Sequence, residues 1–192
     1  MHRGLYAAVA AGFGLSLMVM TGPAWADVTV IGGGFAQSCS EQAKAAARTQ
    51  RPFSESIREC TLAIDDEILS AHDRAATYVN RGVLYLILSN WSAAQSDFDQ
   101  AMAIEPKLAE AWVNRGATMI AEGHDEEAIS DIDKGLGLDT TEPEKAYFNR
   151  ALAKERLNDL KGAYEDYQKA LALKPDWAMP QAELTRFHVV QR

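Results

Sequence analysis

From residue 39 onward, apolar residues recur at spacings of three and four, the pattern of amphipathic helices with one buried face. Pro52, Pro106, Pro143 and Pro175 stand at the breaks between apolar segments, where a helix begins or ends. The pattern predicts helices at about residues 39–49, 53–68, 71–88, 92–104, 107–121, 125–137, 144–156, 160–172 and 177–190. We find no alternation typical of a strand, so the predicted fold class is all-α.

Three stretches of five residues are nearly identical, at Tyr78–Gly82, Trp112–Gly116 and Tyr147–Ala151. Their central asparagines lie 34 and then 35 residues apart. A period of about 20–50 residues indicates one supersecondary unit stacked on copies of itself. Such proteins bind through an extended surface more often than through a catalytic pocket.

The first copy combines Tyr78, Gly82, Ala94, Phe98 and Pro106 in an order that the later copies largely repeat. This order resembles the tetratricopeptide repeat, a helix–turn–helix unit of about 34 residues. The resemblance implies a right-handed α–α superhelix, a solenoid of stacked hairpins closed by a C-terminal capping helix. It also implies that the small residues and the aromatics are packing residues.

The repeats and their flanks divide the chain into seven segments. We predict a signal peptide at 1–26, a flexible leader at 27–37, a degenerate repeat at 38–74, clear repeats at 75–108, 109–142 and 144–177, and a C-terminal solvating helix at 178–192.

The N-terminal pattern is that of a secretory signal peptide. Arg3 is followed by the uncharged apolar run 5–20, and Ala24-Trp25-Ala26 has the small-x-small pattern of a cleavage site. The alternative is a membrane anchor, for which the run is short, because a span needs about 20 residues. We therefore expect cleavage after Ala26, a periplasmic location and no membrane span after cleavage.

The chain is acidic, with 19 Lys and Arg against 27 Asp and Glu and a net charge of −8. No basic cluster is found, and both nucleic acids and anionic membranes require one. The charge therefore argues against those two partners and leaves a protein or peptide partner.

The two cysteines both fall in the degenerate repeat. Aligned on the clear copies, Cys39 lies on the first helix and Cys60 on its antiparallel partner, at about the same height. In an oxidising compartment this arrangement favours a Cys39–Cys60 disulfide. Two free buried thiols are the alternative.

Arginine occupies a position where the family usually has leucine, and an aspartate follows sixteen residues later in every clear copy. The pairs are Arg81 with Asp97, Arg115 with Asp131, and Arg150 with Asp166. The offset joins the two helices of a hairpin, so we interpret these residues as structural ion pairs. The alternative is a row of arginines that binds an anionic ligand.

The repeated asparagines lie opposite the packing face of the first helix, which lines the concave groove in tetratricopeptide proteins. The predicted groove residues are Asn80, Val83, Ile87, Asn114, Ala117, Lys145, Asn149, Leu152 and Arg156. Asparagine offers a donor and an acceptor, so it resembles a ladder that binds the backbone of an extended peptide. The alternative is a structural asparagine that bonds a neighbouring repeat.

One variant of the family binds acidic C-terminal tails through a carboxylate clamp. Lys145 and Asn114 fit that pattern, whereas Val79, Val83 and Asn149 do not. With Lys145 and Arg156 at one end, the groove is expected to suit a mostly uncharged segment with an acidic end.

No catalytic or metal-binding pattern is found. His72, His124 and His188 lack metal-ligand spacing, and no nucleophile motif is present, so we predict neither enzymatic activity nor a cofactor. The predicted function is a periplasmic interaction module that binds a partner segment in its groove. The alternative is a structural subunit of an envelope assembly that docks or oligomerises through its end faces.

Overall fold

The computed structural model describes residues 5–8, 24–26, 28–30, 34–51 and 55–190. The helices are α1 Gly34–Thr49, α2 Ser56–Asp66, α3 Ala71–Ile87, α4 Trp91–Ile104, α5 Ala109–Glu122, α6 Asp125–Gly137, α7 Pro143–Arg156, α8 Leu160–Leu173 and α9 Ala178–Leu184. Two short strands, β1 Leu5–Ala8 and β2 Phe187–Val190, form one antiparallel pair with Leu5 opposite Val190. The predicted all-α class is confirmed, with this pair as a small addition. Most of the predicted signal peptide lies outside the described residues.

The helices form four antiparallel hairpins in chain order, α1/α2, α3/α4, α5/α6 and α7/α8, and each hairpin packs on the next. The first helices of successive hairpins, α1, α3, α5 and α7, also contact one another. They therefore form a continuous inner layer, and the same position in each repeat recurs along that layer.

Close packing within a hairpin depends on a small residue that faces a large one. A Cβ atom added at Gly82 would lie 2.6 Å from the Phe98 ring, and one at Gly116 would lie 2.7 Å from Ile132 Cγ1. Phe98 and Ile132 are fully buried. The glycines thus allow the two helices to approach to a distance that a side chain would prevent.

The first hairpin differs from the prediction at its start. Helix α1 begins at Gly34, so the flexible leader predicted for 27–37 is wrong over residues 34–37. The Glu67 carboxylate accepts hydrogen bonds from the backbone N–H groups of Phe35, at 2.6 Å, and Ala36, at 3.1 Å. This distant carboxylate satisfies two free donors of the first turn, a bond that sequence spacing does not reveal.

A disulfide joins Cys39 of α1 to Cys60 of α2, with 21 residues of sequence separation. Both cysteines are fully buried. Their apolar cluster includes Ala43 and Ala46 of α1 and Leu84 of α3, in the second hairpin. The bond connects the two helices of the hairpin whose repeat pattern is weakest.

The C-terminal helix predicted at 177–190, and assigned to 178–192, is too long. Helix α9 ends at Leu184, and residues 187–190 are a strand. Phe187 and the two valines that follow have high β-propensity, and the strand's partner, β1, is far away in sequence. Phe187 is buried against the rings of Tyr164 and Tyr167, at centroid distances of 5.7 and 5.9 Å, so it covers the end of the stack together with α9.

The glycine contacts predict that an alanine is destabilising at Gly116 but not at Gly137. We expect Gly116→Ala to lower the free energy of unfolding by about 1–3 kcal/mol, because its Cβ would also lie 3.0 Å from the Ala128 carbonyl oxygen. Gly137→Ala is the matched control, since a Cβ there meets nothing within 4 Å. It should be neutral or stabilising by up to about 1 kcal/mol. Urea unfolding followed by circular dichroism measures both, and equal midpoints would contradict the packing argument.

Candidate peptide-binding groove

The three repeated asparagines lie on the inner layer, on α3, α5 and α7. Asn80 is 1% exposed, and Asn114 and Asn149 are fully buried. A buried carboxamide requires hydrogen-bond partners, because it has lost its bonds to water. The identity of those partners therefore determines what this surface does.

The partners of the asparagines are backbone groups of the chain's own segment Ala24–Val30. Asn149 accepts from the N–H of Ala24 at 2.7 Å and donates to its carbonyl at 2.6 Å. Asn114 makes the same pair of bonds to Ala26, at 2.9 and 2.8 Å. Each carboxamide thus pairs with one residue as a neighbouring β-strand would.

The third asparagine continues this register. Asn80 donates from Nδ2 to the Val28 carbonyl at 3.1 Å, and Ser40 Oγ donates to the same oxygen at 3.1 Å. Lys44 Nζ donates to Thr29 Oγ1 at 3.2 Å. The segment therefore follows the inner layer from α7 to α1, opposite to the order of the repeats.

The segment advances two residues for each repeat, and its side chains alternate. Ala26, Val28 and Val30 are buried, whereas Thr29 is exposed. A period of two in burial is the signature of an extended chain with one side against a surface. We call this surface, with its three asparagines, the groove.

The fit is incomplete at two places. Asn80 Oδ1 and Trp25 Nε1 are buried, and neither has a hydrogen-bond partner within the described part of the chain. Each unmade bond typically costs about 1–3 kcal/mol. The chain's own segment thus leaves part of the groove's polar capacity unused.

Several apolar residues predicted for the groove lie beside the segment. Val83 is buried in one apolar cluster with Val28 and Val30, and Ile87 packs against that cluster. Leu152 is half-buried in the cluster that includes Ala24. Ala117, on α5, is fully buried.

The two basic residues predicted for the groove are already paired with groups of the protein. Lys145 forms an ion pair with Glu142 at 2.6 Å. Arg156 donates to the Ile120 carbonyl and reaches Asp125 at 3.5 Å. The structure therefore does not favour the acidic end expected for the ligand. Sequence position alone does not reveal the nearby carboxylates that neutralise these two cations.

The repeated arginines bind aspartates both within and between hairpins. Arg115 makes a two-bond fork to Asp131, at 2.6 and 2.9 Å, and donates a third bond to Asp99 of the preceding hairpin at 2.8 Å. Arg150 repeats this with Asp166 and Asp133. The sixteen-residue offset predicts the forks to Asp131 and Asp166. It does not predict the bonds to Asp99 and Asp133, although these two aspartates share a repeat position.

Arg81 makes the same fork to Asp97, with both distances at 2.8 Å, and uses Thr61 of the preceding hairpin as its third partner, at 3.0 Å. We call Arg81, Arg115 and Arg150 the arginine column. Each guanidinium also lies over the aromatic ring three residues earlier; for Arg115 over Trp112 the centroid distance is 5.1 Å. Since these cations are paired inside the protein, the column holds hairpins together and is not a site for an anionic ligand.

The pKa values of two aspartates that bind the arginine column are shifted in opposite directions. Burial raises the pKa of Asp97 and outweighs its bonds to Arg81. Burial also acts on Asp166, but hydrogen bonds from both Arg150 and Lys154 outweigh it, so its pKa lies below the ordinary value of 3.8. A lowered pKa contributes stability above the ordinary value, and this contribution is lost as the pH falls through the folded-state pKa.

Neither a metal site nor a membrane span appears in the part of the chain that the structure describes. There, no cluster of three or more His, Cys, Asp or Glu side chains could bind a metal ion. No helix among the described residues is both long and apolar enough to cross a bilayer.

The stacked hairpins and their inner groove define a helical-repeat protein of the solenoid class. Residues 144–177 match the family model of the tetratricopeptide repeat. A curated relative, the DnaJ homolog subfamily C member 7 homolog of Dictyostelium discoideum, is 31% identical over 96 residues, which are 48% of this chain and 18% of the relative. The chain thus spans about a fifth of the length of that relative.

Solved structures share the fold. The MamA RS-1 ArsTM double mutant has a TM-score of 0.58 at 19% identity and covers 79% of this chain and 82% of its own. The Arabidopsis OM64 TPR domain scores 0.57 at 23% identity, over 61% and 96%. The first TPR of Spaghetti (RPAP3) bound to HSP90 peptide SRMEEVD scores 0.56 at 24%, over 59% and 90%. Residues 144–177 thus match the tetratricopeptide repeat, and the stack of hairpins has the fold of tetratricopeptide-repeat domains.

Asp166 and Asp133 both bind Arg150 but differ in burial, so their removal should cost different amounts of stability. We expect Asp166→Asn to lower the free energy of unfolding by about 2–3 kcal/mol at pH 7, because two cations lose a buried partner. Asp133→Asn is the matched control: it bonds the same Arg150, but its side chain is 54% exposed, so it should cost at most about 1 kcal/mol.

The pH dependence of the Asp166→Asn effect tests the pKa of Asp166. The difference between wild type and Asp166→Asn should shrink as the pH falls below about 4, because the unfolded wild-type chain then begins to bind a proton at Asp166. It should vanish once the pH lies below the lowered folded-state pKa, where the folded carboxylate is protonated as well. Urea unfolding at a series of pH values measures this, and a difference that is constant with pH would contradict the assignment.

Proposed function

We propose that the protein is an interaction module that binds an extended segment of a partner protein in its groove. The observation that carries this proposal is the set of asparagine bonds to the backbone of Ala24, Ala26 and Val28. These contacts use only backbone groups of the bound segment, so a different segment in the same register can make them.

The chemistry of the groove fits a binding role better than a catalytic one. Each asparagine supplies a donor and an acceptor to a single residue, as the edge of a β-sheet does when a peptide adds to it. The first TPR of Spaghetti (RPAP3), a solved structure with the same fold, is bound to the HSP90 peptide SRMEEVD. That peptide is acidic, and the acidity is not carried over here, because Lys145 and Arg156 are paired internally.

Export would explain how the groove becomes available to a partner. We propose that the chain reaches the periplasm and is cleaved after Ala26, as its N-terminal pattern predicts. Cleavage there removes Ala24 and Ala26, the present partners of Asn149 and Asn114. Two buried carboxamides would then lack bonds, which favours the entry of another segment.

Docking through the C-terminal end face of the stack is the weaker candidate. Phe187 and α9 already cover the C-terminal end of the last hairpin. A partner at that end would have to displace packed aromatic side chains.

The groove is tested by removing two carboxamides. We expect Asn114→Ala with Asn149→Ala to weaken capture of partner proteins from a periplasmic extract about tenfold or more, since up to four backbone bonds are lost. The matched control is Gln100→Ala with Gln168→Ala, which removes two exposed carboxamides from the second helices. Retention of every partner by a folded asparagine variant would refute groove binding.

Export and oxidation are tested together by the intact mass of the protein recovered from the periplasm. We expect a chain that begins at Asp27 and takes up two alkyl groups only after reduction, because Cys39 and Cys60 are bonded. A chain that keeps residues 1–26, or that is alkylated without reduction, would contradict this expectation.

A further inference from the structure

The groove selects its ligand by side-chain size as well as by backbone bonds. Resting on the proposed function, we propose that its ligand is an extended segment with a small apolar side chain at every second position. The segment Ala24–Val30 is then the chain's own copy of that ligand. The pattern it displays is Ala-x-Ala-x-Val-x-Val, read from the α7 end of the groove to the α1 end.

The size limit is tightest at the centre of the groove. Ala26 is fully buried, and both of its backbone groups lie within hydrogen-bond distance of Asn114. Its apolar cluster includes Val113 and Ile120 of α5 and Ala146 of α7. The two bonds fix the height of the backbone above α5, so a longer side chain at this position has no room without breaking them.

The limit relaxes toward the first hairpin. Val28 and Val30 are buried at 6% and 7% exposure, in a cluster with Val83 of α3. The Val28 carbonyl still takes bonds from Asn80 and Ser40, so branched side chains fit here with the backbone bonds in place. The groove therefore accepts alanine at its middle and valine at the end that α1 and α3 form.

Positions 25 and 29, which alternate with the buried residues, are far less restricted. Thr29 is exposed, and its side chain has one bond, to Lys44. Trp25 is half-buried and packs against the cluster that contains Val28 and Val30, which shows that a large residue fits between the two alanines. Selection by size thus acts on alternate positions only, as expected for an extended chain with one side against a surface.

The chain's own segment is a replaceable ligand. It leaves Asn80 Oδ1 without a donor and Trp25 Nε1 without an acceptor among the described residues. A partner that supplies an N–H group to Asn80 Oδ1 satisfies a carboxamide that the internal segment leaves half used. Such a partner gains one bond over the internal segment at the same register.

The experiment uses the uncleaved chain, in which residues 24–30 are all present, and capped peptides with the sequence of those residues. In the chain, Ala26→Trp should eject the internal segment, which amide hydrogen exchange of residues 24–30 detects as lost protection. The native-sequence peptide should then bind this variant about tenfold or more tightly than it binds wild type, since the internal competitor is gone. Circular dichroism establishes that the variant is folded.

Two matched peptides test the size rule on that folded variant. A peptide with Ala26→Leu should bind about tenfold or more weakly than the native sequence, and a peptide with Thr29→Leu should bind within about twofold of it. Equal binding of the two, continued protection of residues 24–30 in the variant chain, or no binding of the native peptide would overturn the size rule.

A second chain variant separates this inference from the proposed function. Asn114→Ala with Asn149→Ala, added to Ala26→Trp, should abolish binding of the native peptide. If it does so while the two leucine peptides bind alike, backbone recognition stands and the size rule fails. If the triple variant binds the native peptide as strongly as before, groove recognition by asparagine fails as well.

Discussion

The close contact between a glycine and a large side chain sets the geometry of the second and third hairpins, at the centre of the stack. Gly82 against Phe98 and Gly116 against Ile132 fix how near the two helices lie and at which height each turn stands. In each of the last three hairpins, an arginine on the first helix faces the aspartate sixteen residues later on the second helix. The forks from Arg81 to Asp97 and from Arg115 to Asp131 join the same two helix pairs.

Polar side chains on the two sides of the first helices have different kinds of hydrogen-bond partner. On one side, each arginine finds its carboxylates inside the protein, in its own hairpin and usually in the preceding one. On the other side, the asparagine side chains bond to a separate segment of backbone and to no side chain of the hairpins among the residues that the structure describes. A buried carboxamide that depends on a separable segment marks a binding surface, whereas a buried ion pair that closes on itself marks architecture.

The internal segment joins the N-terminal region to the groove. The same two alanines that form the small-x-small pattern are the residues held by Asn149 and Asn114. Both uses favour small side chains on an extended backbone. A chain that folds with this segment in place has its groove filled, and a chain that has lost residues 1–26 presents two unpaired carboxamides.

The sequence by itself determined the repeat, the all-α class and most helix limits, because helical periodicity, proline and the repeat spacing are local signals. Tertiary structure alone decided the rest. The Glu67 cap on α1, the bonds from Arg115 to Asp99 and from Arg150 to Asp133, and the strand at Phe187–Val190 join residues that no local pattern connects. The sequence pointed to the asparagines as groove residues, but only the folded chain brings Ala24–Val30 against them, because that contact spans up to 125 residues.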